Sequence, residues 1–552
     1  MKNQIKSIKT KFKNLSKDDF KHLLFGKTLS GKMFRIFALL IIILTICLYL
    51  PISFESFTKN GYVDYFNNAY HFDLNGKLFQ YDFLDAMFTA FSTVTTTGLI
   101  IGDTNQIFST FGKLVIMLFI QLGGFGVLFF IFILFRLFNY KYAQLIKPQS
   151  SLLAQFKKDD NEDDNENIKI LIKYSIWVFI IEIIFGIFYS LWFLLIPAFE
   201  GNFVDGFYVE TTSHINLYGA ADKSFFAGFF HSVSSMNNAG LNIISNSSLA
   251  PYRNGVNTIF LIMTMVQFII GGIGIPIVYD FLKKFKVKRK IYKTLNKDES
   301  RSRYVLEKNL NHKISLFSKL SMSSYTIITL ISIPLILISE TTSFGGGSNL
   351  LWNNTNSFNN YFDKTINIIF QSMSVRSSGF STFETNNINS STKWIFIILM
   401  FIGGSPSSTS GGIRTTTLSI CLITIYSKFR GHNDVSAFRK TIDRHNVQNS
   451  FIVVLSGVIL VGFGTIILTS YDIHTINNQD WTTSVFMVTS SFGNIGLTTV
   501  DPYLVGEFSQ IYMIILMTVG QYSISQTAFL KERHIKNKKP NVQILSEKVK
   551  LG

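Results

Sequence analysis

Long apolar stretches alternate along this chain with short polar runs rich in Ser, Thr, Asn and Gly. Eight apolar stretches stand out, at 33–50, 114–138, 170–196, 258–282, 314–338, 394–402, 451–469 and 511–519. A helix needs about 20 mostly apolar residues to cross the hydrocarbon core of a bilayer, and most of these stretches are near that length. The pattern therefore predicts an all-α polytopic membrane protein with eight transmembrane helices.

Four of the polar runs share one pattern: each begins with Phe, ends with Gly and is followed by Leu or Phe. They are 88–98 (FTAFSTVTTTG), 230–240 (FHSVSSMNNAG), 370–379 (FQSMSVRSSG) and 486–496 (FMVTSSFGNIG). Such repetition divides the chain into four predicted units of helix, re-entrant segment and helix. Polar, non-helical backbone at membrane depth is tolerated only where it is buried in protein or lines a water-filled cavity. Four such runs around one axis predict a ring of carbonyl oxygens, as in ion-selective pores.

The segments before the four glycines have the length of short half-helices, at 85–92, 226–234, 365–374 and 482–490. A half-helix that ends at membrane depth directs its negative C-terminal end at the centre, which favours a cation there. Glycines also recur in each second helix and predict break points there, at Gly123-Gly124, Gly271-Gly272, Gly403-Gly404 and Gly520-Gln521. For any single pair, close helix packing is the alternative reading.

The second helix of the third predicted unit is interrupted by FIGGSPSSTSGGIRTTT at 401–417. Four glycines and a proline cannot maintain a regular helix, so the backbone is expected to unwind. A cytoplasmic loop between two short spans is the alternative, but 394–402 is too short to cross alone. We therefore predict an intramembrane gate loop. Its residues are Gly403, Gly404, Ser405, Pro406, Ser407, Ser408, Thr409, Ser410, Gly411, Gly412 and Arg414.

Two arginines fall near the predicted pore. Arg376 lies in the third polar run, where we expect it to brace the pore helix, since an ionisable residue at membrane depth is a functional candidate by default. Arg414 ends the gate loop, and the alternative for it is a position at the cytoplasmic interface with its charged group in the headgroup region. Asp103 and Asp501 follow the first and fourth runs. They either concentrate cations or cap local turns.

Composition and charge agree with a membrane protein. Hydrophobic residues make up 47% of the chain and charged residues 15%, with a net charge of +17. Lys and Arg outnumber acidic residues in 1–35 and 283–315, whereas the segments expected on the opposite side contain few lysines. This asymmetry predicts that both termini and the basic loops are cytoplasmic. The basic segments are expected to contact anionic lipid or a cytoplasmic partner, not nucleic acid.

Other chemistry is poorly represented. The two cysteines, Cys47 and Cys421, offer no disulfide framework, and the nine histidines show no metal-binding or catalytic spacing. The acidic run 159–166 lacks the central glycine of a calcium loop and is expected to be a solvated linker. We therefore expect no enzyme and no cofactor.

Three motifs give the chain a family resemblance: NNAGL at 237–241, RSSGF at 376–380 and GGSPSSTSGGIRTTT at 403–417. Over about 33–530 it resembles the pore subunit of the Trk/Ktr/HKT superfamily of potassium-uptake proteins, most closely the Ktr-type membrane subunit. The resemblance implies four pseudo-symmetric M1–P–M2 repeats, with eight transmembrane helices and four re-entrant pore helices around one ion pore.

By the same resemblance, backbone carbonyls of the four polar runs form the K⁺ selectivity filter, and K⁺ is the transported ion. The implied filter residues are Thr96, Thr97, Gly98, Asn238, Ala239, Gly240, Ser377, Ser378, Gly379, Asn494, Ile495 and Gly496. Relatives that prefer Na⁺ often have Ser at the first filter glycine, so Gly98 favours K⁺. A Na⁺-conducting or poorly selective transporter of the same fold is the alternative. Arg376 and Gln521 are the implied pore-lining or bracing residues.

The resemblance also implies a homodimer in a bacterial plasma membrane, resting on a cytosolic ring of nucleotide-binding (RCK/KTN-type) regulatory subunits. It leaves open whether Na⁺ is an activator. Two positions depart from the family pattern: Gln521 replaces a usual arginine, and Arg414 stands where lysine is common.

The expected organisation follows from these assignments. It comprises a basic N-terminus (1–32), repeat 1 (33–138), a linker (139–169), repeat 2 (170–282), a basic loop (283–313), repeat 3 (314–428) with the gate loop at 403–414, a cytoplasmic loop (429–450), repeat 4 (451–530) and a C-terminus (531–552).

Overall fold

The structure is a computed structural model that is mostly helical. It describes residues 29–55, 71–74, 77–124, 164–204, 207–214, 217–244, 248–274, 277–278, 280–281, 284, 315–341, 361–383, 385, 388–406, 408–432, 434–472 and 481–522. Most of the predicted basic N-terminus, nearly all of the 283–313 loop, the 531–552 segment and Ser407 of the gate loop lie outside the described residues.

Thirteen helices of twelve or more residues build most of the described part of the chain. They are α1 (Leu29–Tyr49), α2 (Phe83–Val94), α3 (Thr110–Gly124), α4 (Asp164–Leu195), α5 (Ala221–Met236), α6 (Thr258–Gly272), α7 (Leu316–Thr341), α8 (Tyr361–Ser374), α9 (Ser390–Phe401), α10 (Thr415–Phe429), α11 (Arg444–Asp472), α12 (Trp481–Gly493) and α13 (Glu507–Tyr522). Among the described residues, four helical stretches are long and apolar enough to cross a membrane: Ser175–Leu195, Gly255–Gly272, Leu316–Thr341 and Arg444–Ser470.

Three short antiparallel hairpins add strands that the all-α prediction does not include. They are β1 (His71–Leu74) with β2 (Lys77–Gln80), β3 (Phe199–Val204) with β4 (Phe207–His214), and β5 (Ser436–Ala437) with β6 (Lys440–Thr441). The signal for the first two was in the sequence, because Asn-Gly (75–76) and Asp-Gly (205–206) separate the paired strands. Both dipeptides favour two-residue hairpin turns.

The helices that precede the four ring glycines (α2, α5, α8 and α12) occupy the centre of the molecule, and the long helices α4, α7 and α11 lie at its periphery. In α12, every residue from Phe486 to Gly493 is buried, and most of the last three turns of α2 and α5 are buried as well. By contrast, the outer faces of α4, α7 and α11 expose large aliphatic side chains such as Ile184, Leu330 and Ile459. An apolar exterior around an interior rich in Ser and Thr is the arrangement expected for helices surrounded by lipid.

The helix boundaries correct one detail of the sequence analysis. The four helices before the ring glycines extend beyond the predicted half-helices, for example Ala221–Met236 instead of 226–234. The predicted break points at Gly123-Gly124, Gly271-Gly272 and Gly520-Gln521 lie in the last described turn of α3, α6 and α13. These glycines also serve packing: a β-carbon on Gly520, for example, would overlap the carbonyl of Phe492, at the end of α12.

Candidate functional site

Three of the short central helices end in the same way. Thr96, Asn238 and Asn494 have left-handed backbone conformations, with φ of 54°, 53° and 52°. The amide of the residue after each donates to a serine carbonyl five residues earlier: Thr97 to Ser92 (2.8 Å), Ala239 to Ser234 (2.9 Å) and Ile495 to Ser490 (3.0 Å). This is the Schellman termination, which stops a helix and turns the chain away from its axis.

The helix α8 ends differently, because the third polar run is one residue shorter than the others. Here the amide of Gly379 itself donates to the equivalent serine carbonyl, that of Ser374, at 3.0 Å. Neither Ser377 nor Ser378 has a positive φ. The residue that is missing corresponds to the left-handed residue of the other three segments. Gly379 nevertheless occupies the position equivalent to Gly98, Gly240 and Gly496.

The four glycines that end the polar runs lie in contact with one another's segments. All have positive φ, at 91° for Gly98, 69° for Gly240, 71° for Gly379 and 90° for Gly496. A β-carbon on each would come within 3.0 Å of the carbonyl oxygen just before the next glycine: Gly98 at Ala239, Gly240 at Ser378, Gly379 at Ile495 and Gly496 at Thr97. These contacts return to their starting point, so the four segments form a closed ring in which only glycine fits.

The surroundings of this ring suit a monovalent cation. The helices α2, α5, α8 and α12 all end beside it, so their negative dipole ends lie close to its centre. The described part of the chain contains no group of three or more His, Cys, Asp or Glu side chains able to hold a multivalent metal. The groups that line the contacts between the four ring segments are backbone carbonyls.

The interrupted helix of the third predicted unit forms a closed loop between α9 and α10. The Gly403 amide donates to the Ile413 carbonyl (2.9 Å), the Ile413 amide to the Phe401 carbonyl (3.2 Å) and the Thr415 amide to the Gly404 carbonyl (3.1 Å). A β-carbon on Gly403 would overlap the Gly411 carbonyl. These contacts fasten the two ends of the loop together and leave its middle free to contact other elements.

The middle of the loop contacts all three left-handed residues beside the ring. The Thr409 hydroxyl lies 2.6 Å from the side-chain amide of Asn238, and the Thr96 hydroxyl donates to the Thr409 carbonyl at 3.3 Å. Gly411 lies against the side chain of Asn494, where a β-carbon would be 2.6 Å from Oδ1. The loop is therefore seated directly against the ring.

The two predicted arginines occupy different places. Arg376 is fully buried and points at α7, where Nη1 donates to the Tyr325 carbonyl (3.0 Å) and the Thr329 hydroxyl (2.6 Å) and the guanidinium stacks 4.1 Å from the Tyr325 ring centre. Arg414 donates to the carbonyls of Ser410 and Gln521, the second at 3.2 Å. It thus connects the loop to α13, while the Gln521 side-chain oxygen has no hydrogen-bond partner among the described residues.

Comparison with known proteins now decides the family. Residues 30–538 match the family described as TrkH: Cation transport protein. The chain belongs to this family. TrkH-family proteins transport cations, so the chain is a transport protein and not an enzyme.

Individual relatives agree with this assignment. The chain is 30% identical to "Uncharacterized cation transporter MG322" of Mycoplasma genitalium, over 96% of this chain and 98% of the relative. It is 28% identical to "Ktr system potassium uptake protein D" of Bacillus subtilis, over 86% and 90%. Its fold is similar to the crystal structure of the potassium transporter TrkH from Vibrio parahaemolyticus, with a TM-score of 0.50 at 14% identity over 82% of this chain and 79% of that one.

The two aspartates beyond the ring of this TrkH-family protein have separate surroundings. Asp103 is buried and caps a short helical turn, because its carboxylate accepts from the Asn105 amide at 3.1 Å. Asp501 is exposed, and its side chain makes no capping hydrogen bond to the turn that follows it. Turn capping therefore describes Asp103, whereas the Asp501 side chain makes no such cap.

One polar cluster close to the ring was not predicted. Glu182 on α4 is 4% exposed, and its carboxylate accepts from Gln121 (2.9 Å) and Asn237 (3.2 Å). In the sequence, Glu182 is a carboxylate inside the apolar stretch 170–196, which is unusual. The sequence could not show the partners, because they lie 61 and 55 residues away along the chain.

Proposed function

We propose that this chain is the pore subunit of a potassium-uptake system, built from four M1–P–M2 repeats around one pore. The closed cycle of glycine and carbonyl contacts among Gly98, Gly240, Gly379 and Gly496 is the observation that supports this most directly. The filter would comprise the carbonyls of Thr96–Gly98, Asn238–Gly240, Ser377–Gly379 and Asn494–Gly496. Carbonyl rings of this kind replace the hydration shell of K⁺.

Uptake through such a filter needs no chemical energy source. A cation arrives at the outer mouth near Asp501, exchanges its water for carbonyl oxygens and passes inward. Because each segment contributes a single glycine and few carbonyls, binding is weak enough to permit exit. A membrane potential supplies about 2.3 kcal/mol per charge per 100 mV, which is sufficient for accumulation.

The loop 403–414 would act as the gate. Its middle contacts Thr96, Asn238 and Asn494, and these contacts support a position across the proposed path below the filter. Release of these contacts, together with the contact of Arg414 to α13, would move the loop aside.

The partner and assembly are also proposals. We propose a homodimer that rests on a cytosolic ring of nucleotide-binding RCK/KTN-type subunits, with 283–315 and 428–449 as docking segments. The described part of 428–449 supports this, because it presents exposed basic side chains at Arg430, Arg439 and Lys440. Stimulation by Na⁺ belongs to the same proposal and is tested by adding Na⁺ to the uptake assay.

The test is ⁸⁶Rb⁺, K⁺ and Na⁺ uptake by cells that lack their own potassium systems, with the cytosolic partner co-expressed. Gly98→Ser should reduce the preference for K⁺ over Na⁺, since the new side chain displaces the Ala239 carbonyl. Gly462→Ser is the matched control, because a β-carbon on this α11 glycine meets open space. Unchanged ion preference in Gly98→Ser would contradict the filter, and Na⁺ uptake by the wild type without K⁺ uptake would favour the sodium-transporting alternative.

A further inference from the structure

A buried carboxylate lies behind the second of the four ring segments. Glu182 belongs to the Ser175–Leu195 stretch, which is apolar enough to span a membrane. Its Oε2 accepts from Gln121 Nε2 on α3, and its Oε1 accepts from Asn237 Nδ2 at the end of α5. Asn237 also donates to Gln121 Oε1 at 2.8 Å, so the three side chains bond one another pairwise.

This cluster is attached directly to the ring. Asn237 is the C-cap of α5 and immediately precedes Asn238, Ala239 and Gly240. A second set of bonds fixes Glu182 to the same helix, because the Ser232 hydroxyl donates to the Glu182 carbonyl (2.8 Å) and Gln267 of α6 donates to that hydroxyl (2.8 Å). A change in the charge or position of the Glu182 side chain would therefore be transmitted to the second segment through its hydrogen bond with Asn237.

In each segment, the residue three positions before the ring glycine has different contacts; in the second segment this residue is Asn237. Thr95 bonds within α2 to the Phe91 carbonyl (2.7 Å), Arg376 is anchored on α7, and Gly493 packs against the Met400 carbonyl. Only the second segment is connected through this position to a carboxylate among the described contacts. The second segment is therefore the one with a buried carboxyl group behind it.

The charge of Glu182 is not balanced by its hydrogen-bond partners. Gln121 and Asn237 are neutral amides, and an ionised carboxylate removed from water costs several kcal/mol unless a cation compensates it. Its site beside the C-terminal end of α5 adds to the cost, because that end of a helix is already negative. A cation bound in the ring would offset both the cost of removing the carboxylate from water and its repulsion by the negative end of α5.

We propose that a cation in the ring favours the ionised form of Glu182, and that the carboxylate in turn raises the affinity of the ring for the transported monovalent cation, acting through Asn237 and its own electrostatic field. It is a positioning and affinity-determining residue, since the ion itself contacts only the ring. This inference rests on the proposed function, because it presumes that a cation occupies the ring.

The test compares two pairs of proteins whose members have side chains of the same size at position 182 but differ in charge. The concentration of ⁸⁶Rb⁺ that gives half-maximal uptake is measured for the wild type and for Glu182→Gln, and likewise for Glu182→Asp and Glu182→Asn. We expect both neutral variants to need several-fold more Rb⁺, because a nearby carboxylate that ionises when the cation binds stabilises that cation even at an effective dielectric constant of about 20. Glu182→Asp should remain near the wild type, and maximal rates should change little.

Glu340→Gln is the matched control. Glu340 is a second buried carboxylate in an apolar helix, and it accepts a hydrogen bond from the Thr392 hydroxyl in the first turn of α9. We expect no change in its half-saturation concentration. The Asp and Asn pair keeps the test decisive if Glu182→Gln does not accumulate in the membrane.

The outcomes separate this inference from the proposed function. Equal half-saturation in charged and neutral variants, with normal wild-type uptake, would overturn the role of Glu182 and leave the pore intact. An equal loss of affinity in Glu340→Gln would also overturn it. Absence of any cation uptake by the wild type, with its partner present, would overturn the proposed function together with the inference that rests on it.

Discussion

At the scale of single residues, the ring depends on backbone conformations that most side chains avoid. Asn238 and Asn494 are suited to a positive φ, whereas Thr96 is β-branched and rarely adopts one. The three residues have the same hydrogen-bonded helix ending. The conformation is therefore imposed by the helix ending and the ring, at some cost in stability at Thr96.

Thr96→Asn should make the protein more stable. Strained left-handed residues cost about 1–3 kcal/mol, and Asn relieves part of this, so we expect a gain of about 1 kcal/mol. The measurement is the thermal midpoint of the detergent-purified protein. Thr93→Asn serves as the control, since Thr93 lies inside α2 and its hydroxyl bonds the Thr89 carbonyl; an equal rise in that variant would show that strain at Thr96 is not the cause.

Much of the ring could be predicted at this scale, because the Phe and Gly positions of the four runs repeat. The contacts that fix each ring segment to the surrounding helices could not be predicted. Arg376 was expected near the pore as a brace, and the stacking on Tyr325 depends on the placement of α7. The bonds of Glu182 to Gln121 and Asn237 join three separate helices, and no local pattern indicates which partners a buried carboxylate will meet.

At the scale of elements, the loop between α9 and α10 is the least regular segment and has the most unusual contacts. Its ends are fastened to each other by backbone bonds, whereas its middle contacts the ends of α2, α5 and α12. Glycine and proline content predicted the interruption, since neither residue maintains a helix. At Gly520 the glycine also permits close packing, against the carbonyl of Phe492, in the last described turn of α13.

Thr409→Val should open the gate more often. Valine keeps the shape of threonine but removes the contact of the hydroxyl with Asn238. Loss of one buried hydrogen bond is worth about 1 kcal/mol, so basal ⁸⁶Rb⁺ flux without the cytosolic partner should rise about fivefold. Ser408→Ala is the control, because the Ser408 hydroxyl bonds only the Ser405 carbonyl of the same loop in the described contacts. Equal flux in wild type and Thr409→Val, both folded, would argue against a gate held by this contact.

At the scale of the whole molecule, charge rather than packing determines orientation. The exposed aliphatic faces of α4, α7 and α11 can be buried in lipid in either orientation of the protein in the membrane. Lys and Arg, however, are concentrated in 1–35, 283–313 and the neighbourhood of β5 and β6, while the segment 342–360, which follows α7, contains no Lys or Arg. Short basic loops are retained in the cytoplasm, and this bias sets the topology.

Reporter fusions test the orientation directly. A fluorescent protein attached after Gly552 should fluoresce, since it matures in the cytoplasm, and alkaline phosphatase inserted within 342–360 should be active because it would lie outside. Phosphatase inserted within 283–313 is the matched control and should be inactive, because it differs from the previous fusion only in the side of the membrane. If the two phosphatase fusions gave the reverse result, the ring would open toward the cytoplasm and the loop would lie on the outer side. The loop could then not be a gate that a cytosolic partner controls.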